Sequence, residues 1–455
     1  MSNLGSNLTG VRVPPPQPRV RRASEIWGEG SGYAQSVFKP LLFLFTLLLA
    51  WVSLAPFKDR GNAAMLDTLV SGSIANRVVY PALLLSLMFS IGLQNRAYLG
   101  VLMRAGCIPL LTWLTVTTLT SLDPLLSARR VSLFAIHMSI AYMAMLLPRN
   151  QNELARLYAI ACSIVLMSCY AGVALLPHLS IHQLTDVLET DLAGNWRGLF
   201  NHKNEAASVM VMFVFIGLFV ARVFNPVIGW AISALSAVFL VFTVSKTSII
   251  LLPVSLLIAA AVERCRKPSS RALAAILLLA VFNTLTIGAS FPGPIRSVLQ
   301  RTMPDASFTG RTDLWRFAIG SIAERPLVGY GVGAFWRTDA TMHRDRETAE
   351  PEDISGWAAE LGTDSHNGYV DIAVSAGVPG LLLMLYCLVY LPLVDYPNAV
   401  KQPENRELAR LFLRIWIYVL YLGSLETIIA PQNPAWFMML QATFGMTLLA
   451  RYRAR

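Results

Sequence analysis

Apolar runs recur along the chain at about residues 39–57, 76–95, 98–120, 131–148, 157–177, 205–224, 226–244, 247–262, 272–291, 368–393, 409–430 and 434–450, each flanked by polar, Gly- or Pro-containing segments. Most approach the roughly 20 residues that a helix needs to cross a hydrocarbon core. The pattern predicts an all-α polytopic membrane protein with about 12 transmembrane helices. Only Ser245 and Lys246 separate the runs 226–244 and 247–262, which reads as a tight hairpin rather than one long helix.

The runs divide the chain. Residues 1–38 are polar, with Pro14, Pro15, Pro16 and Pro18 followed by Arg19, Arg21 and Arg22, and read as a disordered cytoplasmic arm. The first run starts too far in for a cleaved signal peptide and is expected to remain as a helix. Residues 39–291 hold helices 1–9 and a polar segment at 178–204; residues 292–367 form one large loop; residues 368–450 hold helices 10–12; residues 451–455 form a tail.

Composition removes whole classes of function. Of 455 residues, 55% are hydrophobic and 14% charged, with a mean hydropathy of +0.53, which excludes a water-soluble fold. A net charge of +10 would point to nucleic acid if it lay on one face of a soluble domain. Here the cations cluster at the ends of apolar runs, as in Arg264, Arg266, Lys267, Arg271 and in Arg451, Arg453, Arg455. Such clusters mark cytoplasmic ends, so both termini are assigned inside, no nucleic-acid partner is expected, and 178–204 and 292–367 face outward. Cys107, Cys162, Cys169, Cys265 and Cys387 lie in apolar runs or a short basic loop, and no disulfide framework is read from them.

Candidate chemistry lies in the outward segments. Asn195-Trp196-Arg197-Gly198-Leu199-Phe200-Asn201-His202-Lys203-Asn204 places two cations and an imidazole just before a helix; the alternative is that Arg197 and Lys203 snorkel to lipid headgroups while Trp196 anchors at the interface. Gly310-Arg311-Thr312-Asp313-Leu314-Trp315 and Pro326-Leu327-Val328-Gly329-Tyr330-Gly331 follow in the large loop. Their glycines allow close backbone approach to a ligand or positive φ. The run lacks the complete spacing and βαβ context of a dinucleotide fingerprint. Asp364-Ser365-His366-Asn367-Gly368-Tyr369 leads into the tenth helix, with Asp364 or Ser365 expected as its cap and His366 placed to accept a proton near neutral pH. Lys246 adds a cation between two helices, and Asp371 and Glu426 are carboxylates at the ends of apolar runs, where their cost makes them candidates to pair with a site cation. Arg197 and Arg311 offer charged forks suited to phosphate oxygens. The chain has no D-x-D pair, and Glu189-Thr190-Asp191 imitates one weakly, so no metal site and no cofactor are expected.

Residues 195–390, through Arg197-Gly198-Leu199-Phe200-Asn201-His202-Lys203-Asn204, Ser245-Lys246-Thr247, Gly310-Arg311-Thr312-Asp313-Leu314-Trp315, Pro326-Leu327-Val328-Gly329-Tyr330-Gly331 and His366-Asn367-Gly368-Tyr369, resemble the O-antigen ligase and polysaccharide polymerase superfamily of bacterial inner membranes. The Phe-Asn-His-Lys-Asn string is most similar to the branch that polymerises exopolysaccharide repeat units. The resemblance implies a GT-C-like bundle and inverting, metal-independent glycosyl transfer at the periplasmic face. It implies an undecaprenyl-diphosphate-linked glycan donor, a glycan acceptor, a membrane-lipid setting, and a flippase and chain-length regulator as partners. By the same resemblance Arg197 and Arg311 hold the diphosphate and His366 stands beside the acceptor. Lys203, Asn204, Lys246, Tyr330, Asn367, Asp371 and Glu426 are read as supporting residues around them. Lys246 departs from the family's Ser-Arg-Thr string and lacks the fork. Two rival readings share these residues: ligation of a finished glycan to a lipid A core or another acceptor, and transport. A transporter would show a repeat and a midplane site, whereas both polar inserts here lie on one face.

Overall fold

A computed structural model of the protein describes residues 33–52, 54–59, 74–91, 108–186, 190–265, 267–288, 290–291, 293–302, 311–336, 338, 341, 362–430 and 433–451. The predicted arm over residues 1–32, Cys107, Glu189, Gly310, much of the large loop and the tail residues 452–455 lie outside them. Among the described residues the elements are helical, apart from one isolated antiparallel bridge between Ile181 and Trp196. The chain runs through α1 (Tyr33–Val52), α2 (Ile74–Ile91), α3 (Ile108–Thr118), α4 (Pro124–Ala144), α5 (Gln151–Leu175), α6 (Lys203–Val223), α7 (Pro226–Phe242), α8 (Lys246–Arg264), α9 (Pro268–Gly288), α10 (Pro294–Thr302), α11 (Arg311–Glu324), α12 (Gly368–Ala399), α13 (Arg406–Leu422) and α14 (Pro434–Arg451). Among the described residues, α5, α6, α8, α9 and α12 are each long and apolar enough to cross a membrane; α1, α2, α3 and α7 contain shorter apolar helices. The expected hairpin between α7 and α8 is present as a turn at residues 243–245.

Burial sorts the helices. In α14 every residue from Pro434 to Leu449 is buried, and α6 and α13 are buried over most of their length, so these three form the centre. An element that is apolar on all sides must be enclosed by others. The enclosing α7 and α9 instead expose Trp230, Val241, Leu273 and Leu277, the surface that hydrocarbon would cover.

α12 is the element that positions the site, and it is broken twice. Pro379 cannot donate to Ser375, and Gly377 adopts φ 69°, so helical bonding lapses at residues 374–378. The loop 326–331 fills the gap. Tyr330 N–H donates to Val374 O and Gly331 N–H to Ser375 O, both at 2.9 Å, while Val378 N–H donates to Pro326 O at 2.7 Å. Trp113 Nε1 satisfies Ala376 O at 2.8 Å. Lower down, Pro392 leaves Leu388 O without a helical donor, and Trp416 Nε1 supplies one at 2.6 Å beside the π-turn Tyr386–Tyr390.

The Pro326–Gly331 string therefore approaches another stretch of backbone, not open ligand space. Gly329 has φ +64°, and a Cβ there would collide with Val374 O. Gly329→Ala is expected to destabilise the bundle by about 1–3 kcal/mol, the cost of a side chain forced into a left-handed conformation and against Val374 O. A lowered melting temperature of the solubilised protein checks this; an unchanged one contradicts the clamp.

Candidate active site

The predicted run 409–430 is only partly helical: α13 ends at Leu422, and residues 423–430 fold back as a loop. Gly423 O accepts from Gly368 N at 2.8 Å, Ser424 O from Asn367 Nδ2 at 3.1 Å, and Ser424 Oγ from Asn283 Nδ2 at 2.8 Å. α12, α13 and α9 are thus tied together at one end, and the loop between them carries Leu425, Glu426 and Thr427.

That loop is the hub of the site. Arg311 donates through Nη1 to Leu425 O and through Nη2 to Glu426 Oε1, the latter at 3.2 Å. Asn204 Nδ2 donates to the same carboxylate oxygen at 3.2 Å, and Ser245 Oγ donates to Asn204 Oδ1 at 3.1 Å. His366 Nδ1 lies 3.6 Å from Glu426 Oε2 and 3.5 Å from Asp364 Oδ1, separations of an ion pair rather than a hydrogen bond. Thr427 Oγ1 contacts Asp364 Oδ1 at 2.8 Å and Asp371 Oδ2 at 2.5 Å. Asp371 Oδ1 also accepts from Ser365 N and from Trp336 Nε1.

Local sequence explains each placement. Arg311 and Trp315 are four apart and share a face of α11. Buried Trp315 donates through Nε1 to Ser365 O at 2.8 Å, so α11 holds the His366 segment while Arg311 reaches the hub. The cap of α12 is Asn367, whose Oδ1 accepts from Tyr369 N and Val370 N, and neither Asp364 nor Ser365 fills that role. Asp364 Oδ1 accepts His366 N–H at 2.9 Å, and Ser365 Oγ accepts from Asn367 N at 3.1 Å. These bonds hold His366 at φ 50°, a left-handed conformation that costs a non-glycine residue roughly 1–2 kcal/mol. Val244, beside Ser245, has φ 51°. Strain of this kind collects at functional sites.

The charges at the hub are coupled. Burial alone would lower the His366 pKa, but the Glu426 and Asp364 carboxylates outweigh it and raise the imidazole above its ordinary value. Burial would raise Glu426, but His366 and Arg311 together hold it below the usual carboxylate range. His366 keeps 39% of its side chain exposed, whereas Arg311 and Glu426 keep 16% and 19%. The imidazole is the open face of the cluster.

The remaining candidates divide between the Val244–Ser245 turn, which joins the hub through Asn204, and positions whose contacts are local. Lys203 begins α6 and its Nζ lies 3.4 Å from Val244 O; Lys246 begins α8 next to Ser245. Arg197 is set by a loop pairing in which its N–H and that of Gly198 both donate to Ser180 O, at 2.9 and 2.8 Å. Gly198 has φ +60°, and a Cβ there would meet Cys169 Sγ at 2.7 Å. Arg197 is fully buried, so it does not snorkel to lipid, and Trp196 stacks on Phe242 with centroids 4.3 Å apart. Tyr330 belongs elsewhere: its hydroxyl donates to Ser321 O at 3.1 Å, within a small apolar cluster of Ala318, Phe335, Val370 and Val374. Thr427 is the residue that sequence reading missed, since a threonine inside an apolar run carries no signal of its own.

The family model described as O-antigen ligase matches residues 231–385, which contain Ser245, Lys246, Arg311, His366, Asn367 and Asp371. The chain is also 26% identical over 271 residues to the exopolysaccharide production protein ExoQ of Rhizobium meliloti (strain 1021), a match covering 56% of this chain. It spans 60% of the length of that relative. With the five motifs in order on a helical membrane bundle, these matches make the chain similar to the O-antigen ligase family over residues 231–385 and to an exopolysaccharide production protein over a longer stretch.

Proposed function

We propose that this protein polymerises undecaprenyl-diphosphate-linked oligosaccharide repeat units into exopolysaccharide by inverting glycosyl transfer, on the periplasmic face of the bacterial inner membrane. In this reading the chain crosses the membrane twelve times with both termini cytoplasmic. The observation that carries the reaction is the convergence of Arg311 and His366 on Glu426, at the end where α6, α8, α11 and α12 all begin. Helix N-termini favour anions, and the Arg311 guanidinium carries five N–H groups for phosphate oxygens. The similarity to an exopolysaccharide production protein favours polymerisation over ligation.

The arrangement of His366, Glu426 and Arg311 supports the following sequence of steps. Nδ1 of His366 faces the two carboxylates, so the proton held there leaves Nε2 as the base toward the acceptor. Nε2 takes the hydroxyl proton as the oxygen attacks the anomeric carbon, and Glu426 and Asp364 stabilise the imidazolium that forms. The diphosphate leaves from the opposite face toward Arg311 and Arg197, which neutralise it in place of a metal.

This mechanism sets the sign of the pH dependence. Only neutral His366 accepts a proton, so the rate is expected to rise with pH through the elevated imidazole pKa. Glu426→Gln removes a carboxylate that favours the protonated ring, and the acid limb should move to lower pH as turnover falls. A pH–rate profile that stays in place contradicts the coupling. The function itself is tested by supplying membranes with lipid-linked repeat units and following polymer length. Transfer of preassembled glycan to a different lipid acceptor, without elongation, would replace polymerisation by ligation.

A further inference from the structure

A cavity lies at the opposite end of the bundle from His366. It is a groove of about 1100 Å³ between the start of α9 and the lower half of α12, open on its outer side. Its walls are apolar, including Ile276, Leu279, Leu385, Val389 and Leu393. Its volume slightly exceeds the roughly 300–1,000 Å³ of sites for compact small molecules. The π-turn at Tyr386–Tyr390 shapes one wall, where the two tyrosine rings stack at 5.4 Å.

The polar lining sits at one end and has one sign. Arg271, Lys401, Ser269 and Asn398 line the groove, and among the described residues no acid does. Arg271 is fixed by its Nε bond to Cys265 O at 2.7 Å and Lys401 by its Nζ bond to Asn398 Oδ1 at 2.8 Å. Acids nearby are engaged elsewhere: Glu263 and Glu407 bind Arg410, and Asp395 accepts from Thr447. An anion therefore meets two cations, a hydroxyl and an amide, with a long apolar channel behind them.

We propose that this groove is a binding site for an anionic phospholipid of the leaflet opposite the reaction centre, with its phosphate at Arg271 and Lys401 and its acyl chains along Ile276, Leu279 and Leu393. Assigning that leaflet to the cytoplasm rests on the topology proposed above; the lipid site itself does not. Basic pockets between helices at the cytoplasmic surface select acidic headgroups in this way. Charge complementarity also rules against the Arg-rich arm of residues 1–38 as occupant. A polyprenyl diphosphate seated there would put its leaving group at Arg271, about 18 Å along α9 from Asn283, the residue of that helix that bonds the hub loop.

Native mass spectrometry of the full chain, exchanged into equal phosphatidylglycerol and phosphatidylcholine, tests the site. Retention of phosphatidylglycerol is expected to exceed that of phosphatidylcholine by about tenfold, each cation contributing a several-fold preference. Arg271→Gln with Lys401→Gln should bring the two lipids near parity. Ile276→Trp, which fills the channel and leaves both cations, should release the lipid. Parity in the unmodified protein, an unchanged preference in the double variant, undiminished retention in Ile276→Trp, or stronger retention of a polyprenyl diphosphate overturns the proposal. Glycan elongation is scored separately, so loss of that activity with lipid retained removes the functional reading and leaves this site standing.

Discussion

His366→Ala is expected to bind the lipid-linked donor as the unmodified protein does and to lose glycosyl transfer by about 10²- to 10⁴-fold, the range for removing a positioned general base. The variant isolates chemistry from assembly, because the side chain is the exposed member of the hub while the backbone bonds of residues 364–367 remain available. His366 does occupy a left-handed backbone conformation, where alanine is disfavoured. His366→Asn is the companion variant, since asparagine tolerates that conformation and lacks a comparable base. Both should fail in transfer. Full activity in His366→Asn would make the imidazole a structural residue.

Arg311→Lys is expected to lower turnover by about 10²-fold while the protein still inserts and folds. Losing a donor aimed at developing charge costs on that order. Arg311 reaches Leu425 O and Glu426 Oε1 with two different nitrogens of one planar group. A lysine keeps the charge but cannot hold both acceptors and a phosphate in the same geometry. Arg197→Lys should also impair turnover through the proposed diphosphate contact, but its full burial predicts a larger loss of stability than at Arg311, which is 16% exposed. Single-turnover measurements on folded fractions separate the two effects. Wild-type rates in both lysine variants would remove the leaving-group role.

The sequence made the helical membrane class plain because lipid demands that backbone groups bond within each helix, which leaves long apolar runs as its trace. Each of the twelve runs overlaps a helix among the described residues, although boundaries shift where polar partners intervene. The end of α13 was hidden, since residues 423–430 are as apolar as the helix before them yet fold back to meet α12 and α9. Glu426 was legible because an ionisable side chain in an apolar run needs a partner, and the structure pairs it with Arg311. Asp371 shows the limit of that reasoning: its described partners are Thr427, Ser365 and Trp336.

Capping and glycine signals proved ambiguous for a different reason. Asp, Ser and Asn all favour helix starts, and the string Asp364-Ser365-His366-Asn367 supplies three of them in four residues. Only the fold selects Asn367, leaving Asp364 to hold the His366 backbone. Likewise Gly329 marks close approach in any reading, but what it approaches is α12, through a break that Gly377 and Pro379 create almost fifty residues later. The lipid groove has no local signature because Arg271 and Lys401 meet only after α9 and α12 pack.

The most direct test uses purified protein with a defined undecaprenyl-diphosphate oligosaccharide and scores the length of lipid-linked products. Stepwise longer products from the unmodified chain, absent with His366→Asn and strongly reduced with Arg311→Lys, are expected. A folded, donor-bound protein that makes no glycosidic bond, or elongation that survives loss of the imidazole, contradicts a reaction centred on His366 and Arg311.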